Sequence, residues 1–256
     1  MFKNIAKRAI NVYLWPFTRS ERLLYYIRGT YFTDAAGHLH SAMNYIRKHT
    51  APSQEEIIID VGGADGSTSI YFSNAFPGHK VYCIEPNARM LPHLQEVESK
   101  HKSVRVKHLA LGRAVAEAVL HVTANDLSSS LNKLNLEELK QTPAGFQAAL
   151  QEQEQLRVTV STLDDEFKDF AGILLIKLDT QGTEIEVLKG GIEILGKTRF
   201  ILTEMNNHRY YENTCQYHEV DEFLRSRSFK LTDIVVTYRG DDGVTEYDAL
   251  YRNLTL

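Results

Sequence analysis

The chain has 256 residues, 43% of them hydrophobic and 24% charged, which is enough for one complete globular core. A formal net charge of −4 argues against a surface that wraps nucleic acid, so we expect no nucleic-acid partner. Two cysteines, Cys83 and Cys215, lie too far apart for a zinc motif or a disulfide scaffold, and we expect a cytoplasmic protein. No apolar run approaches the roughly 18 residues of a membrane span.

Residues 1–50 are predicted to form a helical extension, because Leu39, Ala42, Met43 and Ile46 recur at helical spacing. Residues 1–16 mix basic and apolar side chains. We favour a helix packed on its own domain there and leave open a peripheral contact with a membrane. Four aromatic side chains are candidates for stacking on an acceptor ring, with a place in the core as the alternative: Tyr25, Tyr26, Tyr31 and Phe32.

From residue 51 to residue 256, short apolar runs alternate with helical segments. The pattern predicts one α/β domain with a Rossmann-like, mostly parallel sheet and helices on both faces. The apolar strands are expected at residues 57–59, 81–84, 104–111, 173–176 and 200–202. Residues 231–238 and 249–254 are predicted to form a hairpin, which adds one antiparallel strand.

The middle of this domain is less regular, and we interpret residues 113–160 as an insertion that decorates the sheet. It contains predicted short strands at residues 118–122 and 158–160. A polar stretch at residues 137–155 is predicted to be helical. A homodimer is a further expectation for the whole chain, although no residue identifies its interface.

A glycine turn follows the first predicted strand with the pattern D-x-G-x-x-x-G rather than the dinucleotide pattern G-x-G-x-x-G. Its opening acid would repel a pyrophosphate, whereas S-adenosylmethionine (SAM) carries a sulfonium and an amino group that favour negative charge. The turn therefore favours SAM over NAD, although a capping aspartate in an ordinary turn would look similar. The candidate cofactor-binding residues are Asp60, Gly62, Gly63, Asp65, Gly66 and, in the next helix, Ser69.

Glu85 ends the second predicted strand, where a carboxylate can accept hydrogen bonds from both ribose hydroxyls of a nucleoside. Pro86 fixes the chain just beyond it. An exposed glutamate at a strand end is the alternative. Each of these features is common by itself. Their combination in one order, a glycine turn with an opening acid followed by an acid placed for a ribose, is much less expected by chance.

Polar residues follow the next two predicted strands, where Asp179, Glu204, Asn206 and His208 are expected to meet at the same edge of the sheet. We expect Asp179 to reach both the cofactor and the acceptor. Asp179 and Glu204 are candidate catalytic residues, and with Asn206 they are a candidate Mg²⁺ site. His208 is an alternative general base. A helix cap at Asp179, an ion pair of Glu204 with Lys177 or Arg199 and a surface position for His208 remain open.

With these motifs in place, the chain resembles the FkbM family of methyltransferases over residues 55–240. The most specific match is I-K-L-D-T-Q-G-T-E-I-E-V-L-K-G-G at residues 176–191. Shorter matches lie at residues 59–66, 84–86, 110–112, 128–131, 162–164 and at Glu204. Gly63, Ala64 and Asp65 depart mildly from the family pattern, and residues 1–50 have no counterpart. The matched stretch at residues 110–112 adds Ala110 to the candidate cofactor-binding residues.

The resemblance implies a class I methyltransferase that transfers a methyl group from SAM to a hydroxyl, with sugar or natural-product hydroxyls of a small molecule or glycan as acceptors. Two other classes stay open because a fold alone does not fix a function. One is an NAD(P)-dependent oxidoreductase, and the other is a non-catalytic nucleoside-binding or partner-binding module. An RNA-directed methyltransferase is a weaker variant that the net charge disfavours.

Overall fold

A computed structural model describes residues 39–51, 55–240 and 243–256. Its helices are α1 (His40–His49), α2 (Ser67–Ala75), α3 (Leu91–Lys100), α4 (Leu136–Leu139), α5 (Ala144–Ala149), α6 (Leu163–Phe167), α7 (Glu184–Lys189), α8 (Ile192–Gly196) and α9 (Tyr217–Arg225). Its strands are β1 (Ile57–Val61), β2 (Val81–Ile84), β3 (Val104–Lys107), β4 (Ala110–Leu111), β5 (Ala116–Thr123), β6 (Glu152–Ser161), β7 (Ile173–Leu178), β8 (Thr198–Asn206), β9 (Phe229–Gly240) and β10 (Gly243–Asn253). The four aromatic residues predicted to stack on an acceptor lie outside the described residues.

Seven strands form the main sheet in the order β3-β2-β1-β7-β8-β10-β9. The neighbouring pairs from β3 to β8 are parallel, and β10 is antiparallel to both β8 and β9. This confirms the predicted, mostly parallel sheet with one reversed strand. The strand order reverses between β1 and β7, and ligands of such sheets bind at the carboxyl ends of the strands beside that reversal.

Two apolar cores lie on opposite faces of this sheet, because successive side chains of a strand alternate between its faces. Ile57, Ile59 and Val61 of β1 belong to the core that also contains buried side chains of α6, α7, α8 and α9. Ile58 belongs to the other core, with buried side chains of α1, α2 and α3. The prediction of helices on both faces is confirmed. The prediction that Leu39, Ala42, Met43 and Ile46 form a packed helical face also holds.

The insertion forms a second sheet of three strands in the order β4-β6-β5. The predicted helix at residues 137–155 is wrong over its last four residues, because β6 already begins at Glu152 and pairs antiparallel with β5. Glu152, Gln153, Glu154 and Gln155 are exposed, so their polarity reflects an exposed strand and not a helix.

The predicted strand at residues 104–111 is likewise divided between the two sheets. Its first half is β3 of the main sheet, and Ala110 and Leu111 pair with β6 in the second. The chain turns between them, where the Leu109 N–H donates to the Lys107 carbonyl at 3.2 Å. The division of the chain at residue 50 stays a prediction. Within the described residues, every helix is too short or too polar to cross a membrane.

Candidate functional site

A cleft of about 520 Å³ lies at the carboxyl ends of β1, β2 and β7. We call it the cofactor cleft. Its lining comes from those strand ends, from the start of the second sheet and from the serine-rich loop of the insertion. The predicted site residues that line it are Gly62, Glu85, Pro86, Ala110 and Asp179.

Glu85 lies at the cofactor cleft and is only 7% exposed. Its Oε2 accepts a hydrogen bond from the Ala64 N–H at 2.9 Å, and its Oε1 accepts one from the Asn87 N–H at 2.7 Å. Burial raises the pKa of Glu85 to about 7 despite these two bonds, which lower it. Each carboxylate oxygen has a second lone pair, so the group keeps the capacity to accept two ribose hydroxyls.

The glycines of the turn allow neighbouring segments to approach closely. Gly62 has φ of 75°, and a Cβ atom there would lie 1.8 Å from the carbonyl oxygen of Asp179. A Cβ at Gly63 would lie 2.3 Å from Cys83 Sγ. The turn after β1 can therefore lie against β2 and the end of β7 only with glycine at these positions. The two glycines therefore determine the shape of the floor of the cleft.

Two predicted cofactor residues lie beneath the cofactor cleft and do not line it. Asp60 is fully buried, and its Oδ2 accepts a hydrogen bond from Ser69 Oγ at 2.6 Å. Its Oδ1 has no hydrogen-bond partner among the described residues, and Lys177 Nζ lies 4.0 Å away. Burial raises the pKa of Asp60 against the opposing effect of Lys177. The interpretation that placed Asp60 beside the ligand needs this correction, because its contacts are with Ser69 and Lys177.

The other two residues of the turn also have local roles. Asp65 Oδ1 accepts a hydrogen bond from the Ser67 N–H at 2.9 Å, at the start of α2. Gly66 has φ of 79°, and a Cβ there would lie 3.0 Å from Leu94. The hydrogen bond to Asp65 stabilises the start of α2, and the absence of a side chain at Gly66 lets the turn lie close to Leu94 of α3.

Asp179 is paired with Lys177 at the end of β7. Lys177 Nζ donates to Asp179 Oδ2 at 2.8 Å, and its side chain is 8% exposed. Burial favours a higher pKa for Asp179, but the charge of Lys177 and the hydrogen bonds from Lys177 and Gln181 together lower it. Asp179 is therefore an ionised carboxylate at neutral pH. The sequence analysis offered Glu204 as the partner of Lys177, and the structure pairs Lys177 with Asp179.

The loop after Asp179 is held from both sides. Glu184 Oε1 accepts hydrogen bonds from the Thr180 N–H at 2.8 Å and the Gly182 N–H at 3.1 Å. On the other side, Ser130 Oγ donates to the Gln181 carbonyl at 2.8 Å. Gln181 and Gly182 have φ of 54° and 101°, so this loop keeps two consecutive left-handed residues in place. Neither Gln181 nor Glu184 was a predicted site residue.

A second cavity of about 740 Å³ lies next to the cofactor cleft, and we call it the acceptor cavity. Leu127 and Gln181 line both spaces. The acceptor cavity is lined by Leu127, Ser128, Phe146, Leu150, Gln181, Gly182, Glu204, Asn206, His208, Tyr210, Tyr211, Thr214 and Glu246. Three predicted residues, Glu204, Asn206 and His208, therefore share one cavity, as the convergence of strand ends predicted.

An amide nitrogen separates the two candidate catalytic acids. Gln181 Nε2 donates to Asp179 Oδ1 at 2.8 Å and to Glu204 Oε2 at 3.0 Å, while Tyr211 Oη donates to Gln181 Oε1 at 3.3 Å. Asn206 Nδ2 also donates to Glu204 Oε2, at 3.2 Å. Burial and then Asp179 raise the pKa of Glu204 well above its usual value. The two acids thus differ in charge state: Asp179 is ionised, and Glu204 holds its proton more strongly.

The predicted Mg²⁺ site does not fit this arrangement. Within the described residues, no group of three or more His, Cys, Asp or Glu side chains could hold a metal ion. The N–H of Gln181 occupies the position between Asp179 and Glu204 where a shared cation would need to lie. Lys177 already neutralises Asp179.

His208 lies at the rim of the acceptor cavity with its side chain 40% exposed. Its ring stacks on Tyr210 at 5.2 Å, and its Nδ1 lies 3.2 Å from Glu138 Oε1 of the insertion. The surface-loop interpretation and the base interpretation of His208 are both compatible with this position.

The sheet order and the cleft at its reversal define a Rossmann-like methyltransferase. The model of the family described as "Methyltransferase FkbM domain" matches residues 60–231, and the chain belongs to this family. It is thus a SAM-dependent methyltransferase. The family assignment decides against the oxidoreductase and the non-catalytic module considered from the sequence.

Two known proteins illustrate the similarity. The chain is 29% identical over 210 residues to the 2-O-methyltransferase NoeI of Sinorhizobium fredii (strain NBRC 101917 / NGR234), covering 79% of this chain and 81% of that one. The crystal structure of methyltransferase FkbM from Methylobacillus flagellatus KT superposes with a TM-score of 0.50 at 16% identity. That match covers 79% of this chain and 45% of the other, so the chain spans less than half of that protein. This second similarity concerns the fold.

Proposed function

We propose that this enzyme transfers a methyl group from SAM to a hydroxyl of a small molecule or glycan. The observation that carries the proposal is the pair of adjoining spaces that share Leu127 and Gln181. One has the acid expected for a nucleoside ribose, and the other has acids at the point where a hydroxyl would lose its proton. NoeI, named as a 2-O-methyltransferase, supports oxygen as the acceptor atom.

On the cofactor side, Glu85 binds the ribose through its two carboxylate oxygens, and Ala64 and Asn87 fix the carboxylate for that contact. Pro86 and Ala110 contribute apolar lining next to it. Asp179 borders the same cleft, where its carboxylate oxygens are hydrogen-bond acceptors for the amino group of SAM. Asp60 and Ser69 act beneath the cleft, by supporting the turn that contains Gly62.

On the acceptor side, the residues position a hydroxyl and take its proton. When bound, SAM supplies an electrophilic methyl group that the hydroxyl oxygen accepts as the carbon–sulfur bond breaks. The ionised form of Glu204 receives the hydroxyl proton, and the raised pKa makes that form a stronger base than the Asp179 carboxylate. Gln181 orients both acids by donating to each. His208 is the alternative base.

Mg²⁺ has no role in this proposal because the part of the chain that the structure describes offers no group of side chains that could hold a metal ion. The cytoplasmic location, the peripheral membrane contact of the N-terminal residues and the homodimer expected from the sequence stay predictions.

The experiment is calorimetric titration of SAM and, separately, of NADH into the wild type and the Glu85→Ala variant. We expect SAM to bind the wild type, Glu85→Ala to bind it more weakly by about tenfold or more, and NADH not to bind. An exposed acid outside both cavities, Glu193→Ala on α8, is the matched control and should leave SAM affinity unchanged. A variant Glu85→Ala that binds SAM as the wild type does would contradict the assignment of the cleft.

A further inference from the structure

The acceptor cavity contains two acids, and the histidine that lines it, His208, lies against Glu138 of the insertion. Glu204 on β8 and Glu246 on β10 both line it, and Glu246 lies opposite Asn206 in the strand pairing. Among the described residues, no lysine or arginine lines this cavity. The nearby Lys177 is paired with Asp179 and lies 4.0 Å from Asp60. The negative charge of the cavity is thus left for a ligand to balance.

The pKa shifts of the two acids show that the protein itself does not stabilise their ionised forms. Burial raises the pKa of both Glu204 and Glu246, and neighbouring carboxylates raise both further. The groups nearest to them that contribute are Asp179, Glu184 and Asp248. Asp179, which forms a close ion pair with Lys177 at 2.8 Å, shows the opposite shift.

An unused hydrogen-bond acceptor lies in the same wall. Asn206 Oδ1 is buried and has no hydrogen-bond partner among the described residues. The amide cannot reverse without loss, because its Nδ2 donates to Glu204 Oε2. Glu246 Oε1 accepts a hydrogen bond from Thr237 Oγ1 at 3.0 Å, which still leaves lone pairs on its carboxylate. The wall therefore offers acceptors, and its ligand must bring donors.

Aromatic rings also line the acceptor cavity. Phe146 of α5 packs against Tyr210 with ring centres 5.0 Å apart. The ring of His208 stacks on Tyr210 as well, at 5.2 Å. Aromatic faces attract organic cations and the C–H edges of sugar rings. A bare metal ion would gain nothing from these rings, and the described residues do not offer it a ligand set.

We propose that the acceptor carries a protonated primary amine in addition to its reacting hydroxyl, and that Glu246 and Glu204 hold this ammonium group in the acceptor cavity. The inference rests on the proposed function and narrows its acceptor class to amino alcohols and amino sugars. The ammonium donates to the two carboxylates. Held in this way it keeps its proton, so the hydroxyl oxygen remains the nucleophile.

The test measures methyl transfer from SAM to matched pairs of probes: glucosamine and N-acetylglucosamine, galactosamine and N-acetylgalactosamine. Each pair differs in the charge of one nitrogen. At pH 7 we expect kcat/KM for the amine to exceed that for its acetylated partner by about tenfold or more, because the amine makes charge-assisted hydrogen bonds. Mass spectrometry and NMR of the product should place the new methyl group on oxygen.

Variants separate charge recognition from a general loss of structure. Glu246→Gln should reduce the ratio within each pair to near one, whereas Glu246→Asp should keep most of it. Glu193→Gln removes the same charge on the surface and should leave the ratio unchanged. Each variant should bind SAM as the wild type does, which shows that the fold and cofactor cleft are intact.

Three outcomes would overturn the inference: equal or better turnover of the acetylated partners, a wild-type preference in Glu246→Gln, or no methyl transfer to any amine. An N-methylated product would overturn it as well. Failure of the proposed function looks different, because SAM itself would then not bind.

Discussion

Glu85 and Ala64 are joined by a hydrogen bond of 2.9 Å from the Ala64 N–H to Glu85 Oε2. Ala64 has φ of 46°, a left-handed conformation that a non-glycine residue adopts at some cost. The acid proposed to bind the ribose therefore also holds the turn after β1 in its strained shape. Protonation of Glu85 should therefore affect both the binding of the ribose and the conformation of the turn.

The affinity for SAM should increase with pH between about pH 6 and pH 8 and then level off. Burial raises the pKa of Glu85 to about 7, and only the ionised carboxylate can accept both ribose hydroxyls. Calorimetric titrations across this range measure the effect. Glu85→Gln should bind weakly with little dependence on pH, and a steep pH dependence in that variant would assign the titration to another group.

The raised pKa of Glu85 should make the stability of the ligand-free protein change with pH in the opposite direction to the affinity for SAM. The folded-state pKa of Glu85 lies above its usual value of 4.5, so the folded state binds the proton more tightly than the unfolded state. Its contribution to the free energy of unfolding is present at low pH and is lost as pH rises from about 4.5 through about 7. Denaturant titrations of wild type and Glu85→Gln should diverge over this interval.

Gly62→Ala should lower the free energy of unfolding by about 3 kcal/mol or more, since it adds a steric clash to a left-handed backbone. The new Cβ would lie 1.8 Å from the Asp179 carbonyl oxygen. Gly243→Ala is the matched control, because Gly243 has φ of 123° and no atom lies within 4 Å of a Cβ there. It should cost about 1 kcal/mol. Equal effects in urea denaturation would refute the importance of the close approach.

Lys177→Met should destabilise the protein by about 3–5 kcal/mol, because it leaves buried acids without their cation. Lys177 is 6% exposed and neutralises Asp179 from 2.8 Å. Without it, the pKa of Asp179 should rise above its usual value, so the loss should be greater at pH 8 than at pH 5. Lys100→Met removes an exposed lysine of α3 and should change stability little. A loss independent of pH would indicate packing as its cause.

Methyl transfer should persist after treatment with EDTA, and added Mg²⁺ should not raise the melting temperature. The reason is the position of Gln181 Nε2 between Asp179 and Glu204, where it donates a hydrogen bond to each. Gln181→Glu removes the donor and adds a carboxylate, so this variant should gain a Mg²⁺ response. Loss of wild-type turnover with EDTA, restored by Mg²⁺, would show that the amide yields to a metal.

Periodicity was sufficient to predict the sheet, because continuous apolar runs such as residues 173–176 identify strands buried on both faces. It failed for β6, whose first residues are polar and good helix formers. Only their pairing with β5 makes them a strand, and this long-range contact leaves no local pattern.

The candidate site was predictable where a residue ends a strand and less so elsewhere. Glu85, Asp179 and Glu204 follow from that rule. Asp60 also follows a strand, but it points beneath the cleft, and the sequence does not reveal this orientation. Glu246 reaches the acceptor cavity because β10 pairs with β8 in a particular register, which depends on the whole fold. Gln181 lies inside the matched stretch at residues 176–191 and next to Gly182, but neither observation indicates that its side chain lies between the two acids.

The reversed strand has a consequence for biosynthesis. Every described residue that lines the cofactor cleft lies at or before Thr183, whereas Glu246 belongs to β10, which inserts between β8 and β9. As the ribosome releases the chain, the parts that recognise the methyl donor emerge well before the strand that completes the space for the acceptor. A nascent chain therefore has all the contacts for the nucleoside before it has a place for the molecule to be methylated.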